Sequence, residues 1–96
     1  MDAAITAETF VPHVGKAASL SNGHEFMLVT VDVHTSPEAS SRRQSGFTLI
    51  LRGPRAPVAP EGMHRLTFES GASFELYVIP IHTPSRDHQD YQIVFN

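Results

Sequence analysis

The residues best suited to chemistry are six histidines, His13, His24, His34, His64, His82 and His88, in a chain of 96 residues that has no cysteine. Without cysteine there is no thiolate nucleophile, no disulfide and no Cys-ligated zinc. No two histidines stand in a His-x-His or His-Glu-x-x-His arrangement, the spacings that bring two imidazoles to one metal. The densest group is His82, Asp87, His88 and Asp90. Its residue types suit a metal, but a closed site needs four converging ligands and this spacing specifies none. A solvated polar turn is the expectation there, with no metal and no other cofactor. His64 falls on the inward phase of a predicted strand, next to Leu66, and no nucleophile can be placed beside it. It reads as a packed histidine with its tip at a rim. The serines form no Gly-x-Ser-x-Gly elbow, and phosphate-loop and dinucleotide fingerprints are missing. No catalytic residue is assigned, and a non-enzymatic role is expected.

Arg42, Arg43, Arg52 and Arg55 flank one predicted strand and its two loops. If those loops lie at one end of a barrel, the four make a basic rim that would attract an anionic ligand. Otherwise they are solvated charges, partly neutralised by Glu38 and Glu61. The formal net charge of −3 argues against a dedicated nucleic-acid binder, whose affinity comes from neutralising phosphates, although a basic patch can sit on an acidic protein. Phe10, Phe26, Phe47, Phe68, Phe74 and Phe95 fall mostly in core phase and read as core, not as base-stacking platforms. Tyr77 and Tyr91 are read as facing outward, where they would serve an interface.

The length implies one domain over residues 1–96, with a thin stability margin. Residues 3–14 are the one helix candidate. Thr6 caps it, Pro12 and Gly15 end it, and Phe10 and Val14 pack as a plug over a barrel end. A strand over residues 16–20 leads through the turn Ser21-Asn22-Gly23 to a long strand over 24–34. There Met27, Val29, Val31 and Val33 line one face. Phe26 and Leu28 lie on the other, followed by Thr30, Asp32 and His34. Such a change of burial is expected where a sheet bends to close a small barrel. Residues 35–46 form a polar, Ser-rich loop. Residues 47–52 are a strand apolar on both faces. Residues 53–60 hold three prolines, which exclude a central strand and suggest an extended crossing. Pro80 marks an edge or a bend, residues 82–90 a turn, and residues 91–96 a closing strand.

Residues 64–76 form a hairpin whose register follows from side-chain matching. With Glu69-Ser70-Gly71 as a three-residue loop and Gly71 left-handed, Phe68 opposes Ala72, Leu66 opposes Phe74 and His64 opposes Leu76. Thr67 then opposes Ser73, and Arg65 opposes Glu75. A two-residue loop would set Phe74 against Thr67 and Leu76 against Arg65, so the buried face selects the three-residue loop.

These elements predict an all-β fold: a small, strongly bent antiparallel barrel of five or six strands with a short N-terminal helix, similar to Sm-like and SH3-like barrels. That likeness is of fold and carries no function. No apolar run approaches the roughly 20 residues of a membrane helix. The N-terminus lacks a basic start and a long apolar stretch, so no signal peptide is expected and a cytoplasmic location is.

Several short patterns together resemble an uncharacterised family of small bacterial domains. They are Phe10-x-Pro12-x-Val14-Gly15, Phe47-x-Leu49-x-Leu51-Arg52-Gly53-Pro54, Glu61-Gly62, Gly71-x-x-Phe74-x-Leu76, Val78-x-Pro80-Ile81 and Tyr91-x-x-Val94-Phe95-Asn96. Members of that family often occur near phage-tail-collar-type proteins. The patterns are turn glycines, prolines and strand apolars, so the resemblance implies a fold and no reaction. The family usually has Gln where Glu61 stands and an aromatic where His64 stands, which implies a packing role for His64. The loop over 35–46 varies in the family. The function expected is a protein-interaction or assembly module, in a setting such as a tail-like structure, with a protein partner or a second copy. The alternatives are an Sm-like RNA-binding oligomer and a small-ligand or metal-binding barrel.

Overall fold

The computed structural model describes residues 6–21, 23–33 and 46–95. The expected loop over 35–46, apart from Gly46, lies outside them, as do His34, Asn22, Arg42 and Arg43.

The chain opens with helix α1 (Ala7–Phe10) and one 3₁₀ turn (Val11–His13). The Thr6 backbone N–H donates to Thr9 Oγ1 at 3.2 Å, and the Thr9 N–H donates to the Thr6 carbonyl at 3.0 Å. These bonds satisfy donors that a helix start leaves free. Phe10 is buried as expected. Val14 is not: it is 40% exposed, because the backbone turns extended there and the side chain leaves the barrel.

Six strands follow: β1 (Ala17–Leu20), β2 (Glu25–Val33), β3 (Phe47–Pro54), β4 (Gly62–Phe68), β5 (Ser73–Pro80) and β6 (His88–Phe95). They close into an antiparallel barrel in the order β1-β2-β3-β6-β5-β4, with β1 against β4. The hairpin register is the expected one. Thr67 pairs with Ser73, Leu66 with Phe74, Arg65 with Glu75 and His64 with Leu76. The Phe68 N–H donates to the Ala72 carbonyl, and Gly71 is left-handed (φ 99°).

Three strand expectations need correction. In β2, Phe26 and Leu28 point inward while Met27 is exposed, and a bulge between Leu28 and Thr30 shifts the register. After the bulge Val31 packs against the core, so inward phase passes from even to odd positions. The face assigned to Met27, Val29, Val31 and Val33 together is therefore split. In β3, apolar on both faces as expected, burial alternates: Phe47, Leu49, Leu51 and Gly53 are buried and the residues between them half-buried. The strand also runs on through Pro54, pairing Gly53 with Gln89 and Pro54 with His88. Pro54 is tolerated because the pairing to β2 ends at Arg52, so the missing N–H breaks no ladder on that side. By the same pairing β6 starts at His88, inside the stretch expected to be a turn.

Pro80 marks the expected bend. β5 pairs with β4 up to Val78 and with β6 only at Ile79 and Pro80. The interior is filled by fully buried Leu28, Leu49, Leu51, Leu66, Val78, Tyr91 and Ile93. At one end Phe10 closes the barrel against Phe47, Phe74 and Phe95, with ring centroids 6.1, 5.0 and 5.7 Å away. At the other end lie residues 55–61 and 81–87, which join β3 to β4 and β5 to β6.

Candidate functional site: the barrel rims and the open seam

Of the titratable side chains singled out in the sequence, Arg52, Arg55, His64, His88 and Asp90 lie towards the rim opposite the helix, and each meets a partner there. The Arg52 Nε donates to Asp90 Oδ1 at 3.0 Å, and Nη2 to Oδ2 at 3.4 Å, across the β3–β6 pair. The two-pronged bond to Asp90 raises the Arg52 pKa above its ordinary value. His88 Nε2 lies 3.5 Å from the same carboxylate. The Arg55 Nη1 reaches the carbonyls of Thr83 (3.0 Å) and His88 (3.3 Å) and the Gln89 Oε1 (3.2 Å). One guanidinium thus ties the proline-rich crossing to the connection before β6.

Val33 and Phe47, which flank the segment holding Arg42 and Arg43, pair with each other at the helix end. Arg52 and Arg55 sit towards the other end. Among the described residues, no group of three His, Cys, Asp or Glu side chains comes close enough to hold a metal ion. Asp90, from the group His82, Asp87, His88 and Asp90, is engaged by Arg52.

His64 occupies the rim as expected. Its Nε2 lies 2.8 Å from the Pro60 carbonyl and its Nδ1 3.2 Å from Ser21 Oγ. A carbonyl only accepts, so Nε2 carries a proton. Ser21 Oγ in turn accepts the Arg65 N–H at 3.3 Å. The imidazole therefore links the end of β1 to the crossing and to β4. At the helix end, His13 stacks on Phe68 with centroids 4.2 Å apart.

Tyr91 corrects the sequence reading most. It was expected to face outward and is fully buried, edge-on to Phe26, with its hydroxyl accepting the Ala59 N–H at 2.9 Å. Starting β6 at Tyr91 hid the alternation Gln89, Tyr91, Ile93, Phe95, which marks all four as inward. Gln89, on the same inward phase, is buried too, as is Thr83 on the connection before β6. Gln89 Nε2 donates to the carbonyls of Ile81 (2.7 Å) and Asp90 (3.1 Å). The Thr83 hydroxyl donates to the Ile81 carbonyl (2.8 Å) and accepts the Asp90 N–H (3.0 Å). Tyr77 does face outward. It is 47% exposed and donates to Glu61 Oε2 at 2.8 Å, a bond that raises its pKa.

Two features of the outer surface remain. A groove of about 450 Å³ crosses β1, β2 and β3, lined by Ala17, Phe26, Met27, Arg52, Gly53 and Pro54. Gly53 makes room there for the Phe26 ring, which a Cβ at this position would overlap. The second feature is a seam. The β5–β6 ladder stops after Ile79–Gln92, so residues 73–78 pair with β4 alone and residues 93–95 with β3 alone. Exposed apolar side chains flank it. Met63 and Tyr77 are direct cross-strand neighbours on the β5 side (62% and 47% exposed), and Val94 lies on the β6 side (46%).

The molecule is thus a six-stranded closed antiparallel barrel, all-β except for its N-terminal helical turns, with polar clips at one rim. The family model described as a domain of unknown function (DUF6916) matches residues 5–95, and the chain belongs to that family. No curated protein and no solved structure matches it. No helix among the described residues is long and apolar enough to cross a membrane.

Proposed function

We propose that the protein is a non-enzymatic interaction module that binds another protein chain through the outer surface of its barrel, beside the β5–β6 seam. The observation that carries this reading is the exposed apolar group on both sides of the seam: Met63 paired with Tyr77, and Val94 opposite. Large apolar side chains clustered in the open mark interaction surfaces. The chemistry-bearing side chains support it from the other direction. Arg52, Arg55, His64 and Tyr91 all bond to the chain's own groups, and the inward side chains fill the barrel. An assembly role, as in the tail-like setting implied by the family resemblance, is one use of such a surface.

The test is a photo-crosslinking residue placed at Met63 and, separately, at Asp87 on an exposed stretch away from the seam. A discrete crosslinked protein from position 63 and none from position 87, in the native cell, is the expected result. Equal or absent crosslinking at both positions removes the reading.

A further inference from the structure

We infer that Ser21 carries an activated hydroxyl and is a covalent modification site: it accepts an acyl group from an activated ester. This goes beyond the interaction-module reading and does not depend on it. No nucleophile could be placed beside His64 along the sequence, because the one that reaches it is 43 residues away. The fold brings the two together. β1 and β4 pair as far as Leu20 and Leu66, and the turn after Leu20 is closed by the Gly23 N–H on the Leu20 carbonyl at 2.8 Å. Ser21 therefore stands where the ladder ends, and its hydroxyl oxygen accepts the Arg65 N–H at 3.3 Å.

Three polar contacts set the chemistry. His64 Nε2 lies 2.8 Å from the Pro60 carbonyl, which only accepts. The neutral ring therefore keeps its proton on Nε2 and turns the lone pair of Nδ1 to Ser21 Oγ, 3.2 Å away. The Ser21 oxygen already receives the Arg65 N–H, and its own O–H donates to Nδ1. Nucleophile, base and orienting group in that order are what makes a serine reactive, here with a backbone carbonyl as the third member. Capping a backbone N–H does not by itself call for an imidazole. Ser70 and Ser85 accept the N–H groups of Ala72 at 3.4 Å and Asp87 at 2.9 Å, and among the described residues no histidine bonds to either hydroxyl.

Ser21 is exposed and His64 half-buried, so a bulky donor can reach the hydroxyl while two bonds hold the base. In the reaction, Ser21 Oγ forms a bond to the carbonyl carbon of the ester, and its proton passes to His64 Nδ1. The Arg65 N–H, already on that oxygen, steadies the negative charge that gathers there. The bond from the carbonyl carbon to the leaving oxygen then breaks, and His64 returns the proton to the departing oxygen. The pair activates the attacking atom, so the donor it suits is an ester with a weakly basic leaving group, such as an aryl ester.

The test treats the full chain with p-nitrophenyl acetate and follows acetylation of each serine over time by mass spectrometry. General-base assistance is worth about 10²–10⁴-fold, so Ser21 should acetylate at least about a hundred times faster than Ser70 or Ser85. His64→Gln keeps an N–H for the Pro60 carbonyl and has no basic nitrogen. It should bring Ser21 down to the rate of the other two in a chain that still melts cooperatively. In the wild type unfolded in urea, the three serines should react at one rate. Ser21 reacting no faster than Ser70 and Ser85 in the folded wild type overturns the inference, as does an unchanged rate in folded His64→Gln or a preference for Ser21 that survives unfolding. The wild-type comparisons involve no substitution, so they decide the matter even if the variant fails to fold.

Discussion

Replacing Tyr91 with Phe removes one oxygen atom and nothing else. The ring keeps its place against Phe26, 5.2 Å between centroids. What is lost is the acceptor for the Ala59 N–H. Ala59 is 1% exposed and Tyr91 fully buried, so water has no direct access to the orphaned donor. A buried donor left unpaired costs about 1–3 kcal/mol, whereas the same substitution at an exposed tyrosine costs close to nothing. For a domain this small each kcal/mol lowers Tm by roughly 4–8 °C. Thermal and urea melts of Tyr91→Phe should show that loss, and amide exchange at Ala59 should accelerate more than exchange in β2 or β3. The neighbouring prolines Pro57 and Pro60 have no N–H, which makes Ala59 a principal donor anchoring the crossing. A variant as stable as the wild type, with unchanged Ala59 exchange, would show that the hydroxyl does not hold the rim and would refute the reasoning.

Gly53→Ala should destabilise by about 1–3 kcal/mol through overpacking, because the new methyl meets a buried aromatic ring and not a flexible side-chain end. That loss exceeds the roughly 0.5–1 kcal/mol that removing a strand glycine otherwise returns, and Phe26→Leu in the same chain should recover part of it in a denaturant melt. Tyr77 should titrate above the ordinary tyrosine value of 10.0, because the neutral phenol donates to Glu61. The sign follows from the raised folded-state pKa: the bond's contribution is complete below the unfolded pKa and is lost as pH rises through the folded one, in the alkaline range. The ring carbon shift of Tyr77 followed by NMR should move its midpoint down in Glu61→Gln, and an unchanged midpoint would remove Glu61 as the cause.

The parts of this fold that could be read from the sequence are those fixed by neighbours along the chain. The hairpin register came out residue for residue because only one pairing buries Leu66, Phe68, Phe74 and Leu76 together. The bend at Pro80 and the left-handed Gly71 are equally local. The bulge in β2 was not readable, since Met27 and Val29 are as apolar as Phe26 and Leu28, and only the pairing with β3 decides which face is in. Pro54 in a strand was hidden for a related reason: whether a proline breaks a ladder depends on which side the partner lies. Most of the rim was hidden as well. The Tyr91–Ala59 bond joins residues 32 apart, the Arg55–Thr83 bond residues 28 apart, and no sequence pattern links either pair.

That rim accounts for the places of several polar side chains of this chain. A barrel this small has one core and two open ends, and it buries only about two thirds of the surface its unfolded chain exposes. The helix end is closed by an aromatic side chain, Phe10, which packs without polar demands. The other end must be crossed by backbone, and backbone over a core brings carbonyls and N–H groups that need partners. Arg55 meets two of those carbonyls, His64 meets a third, and the Tyr91 hydroxyl takes an N–H. Thr83 and Gln89 satisfy the groups on the adjoining connection. Arg55, His64 and Tyr91, singled out in the sequence for a ligand, a reaction or an interface, are therefore engaged by the backbone at this end.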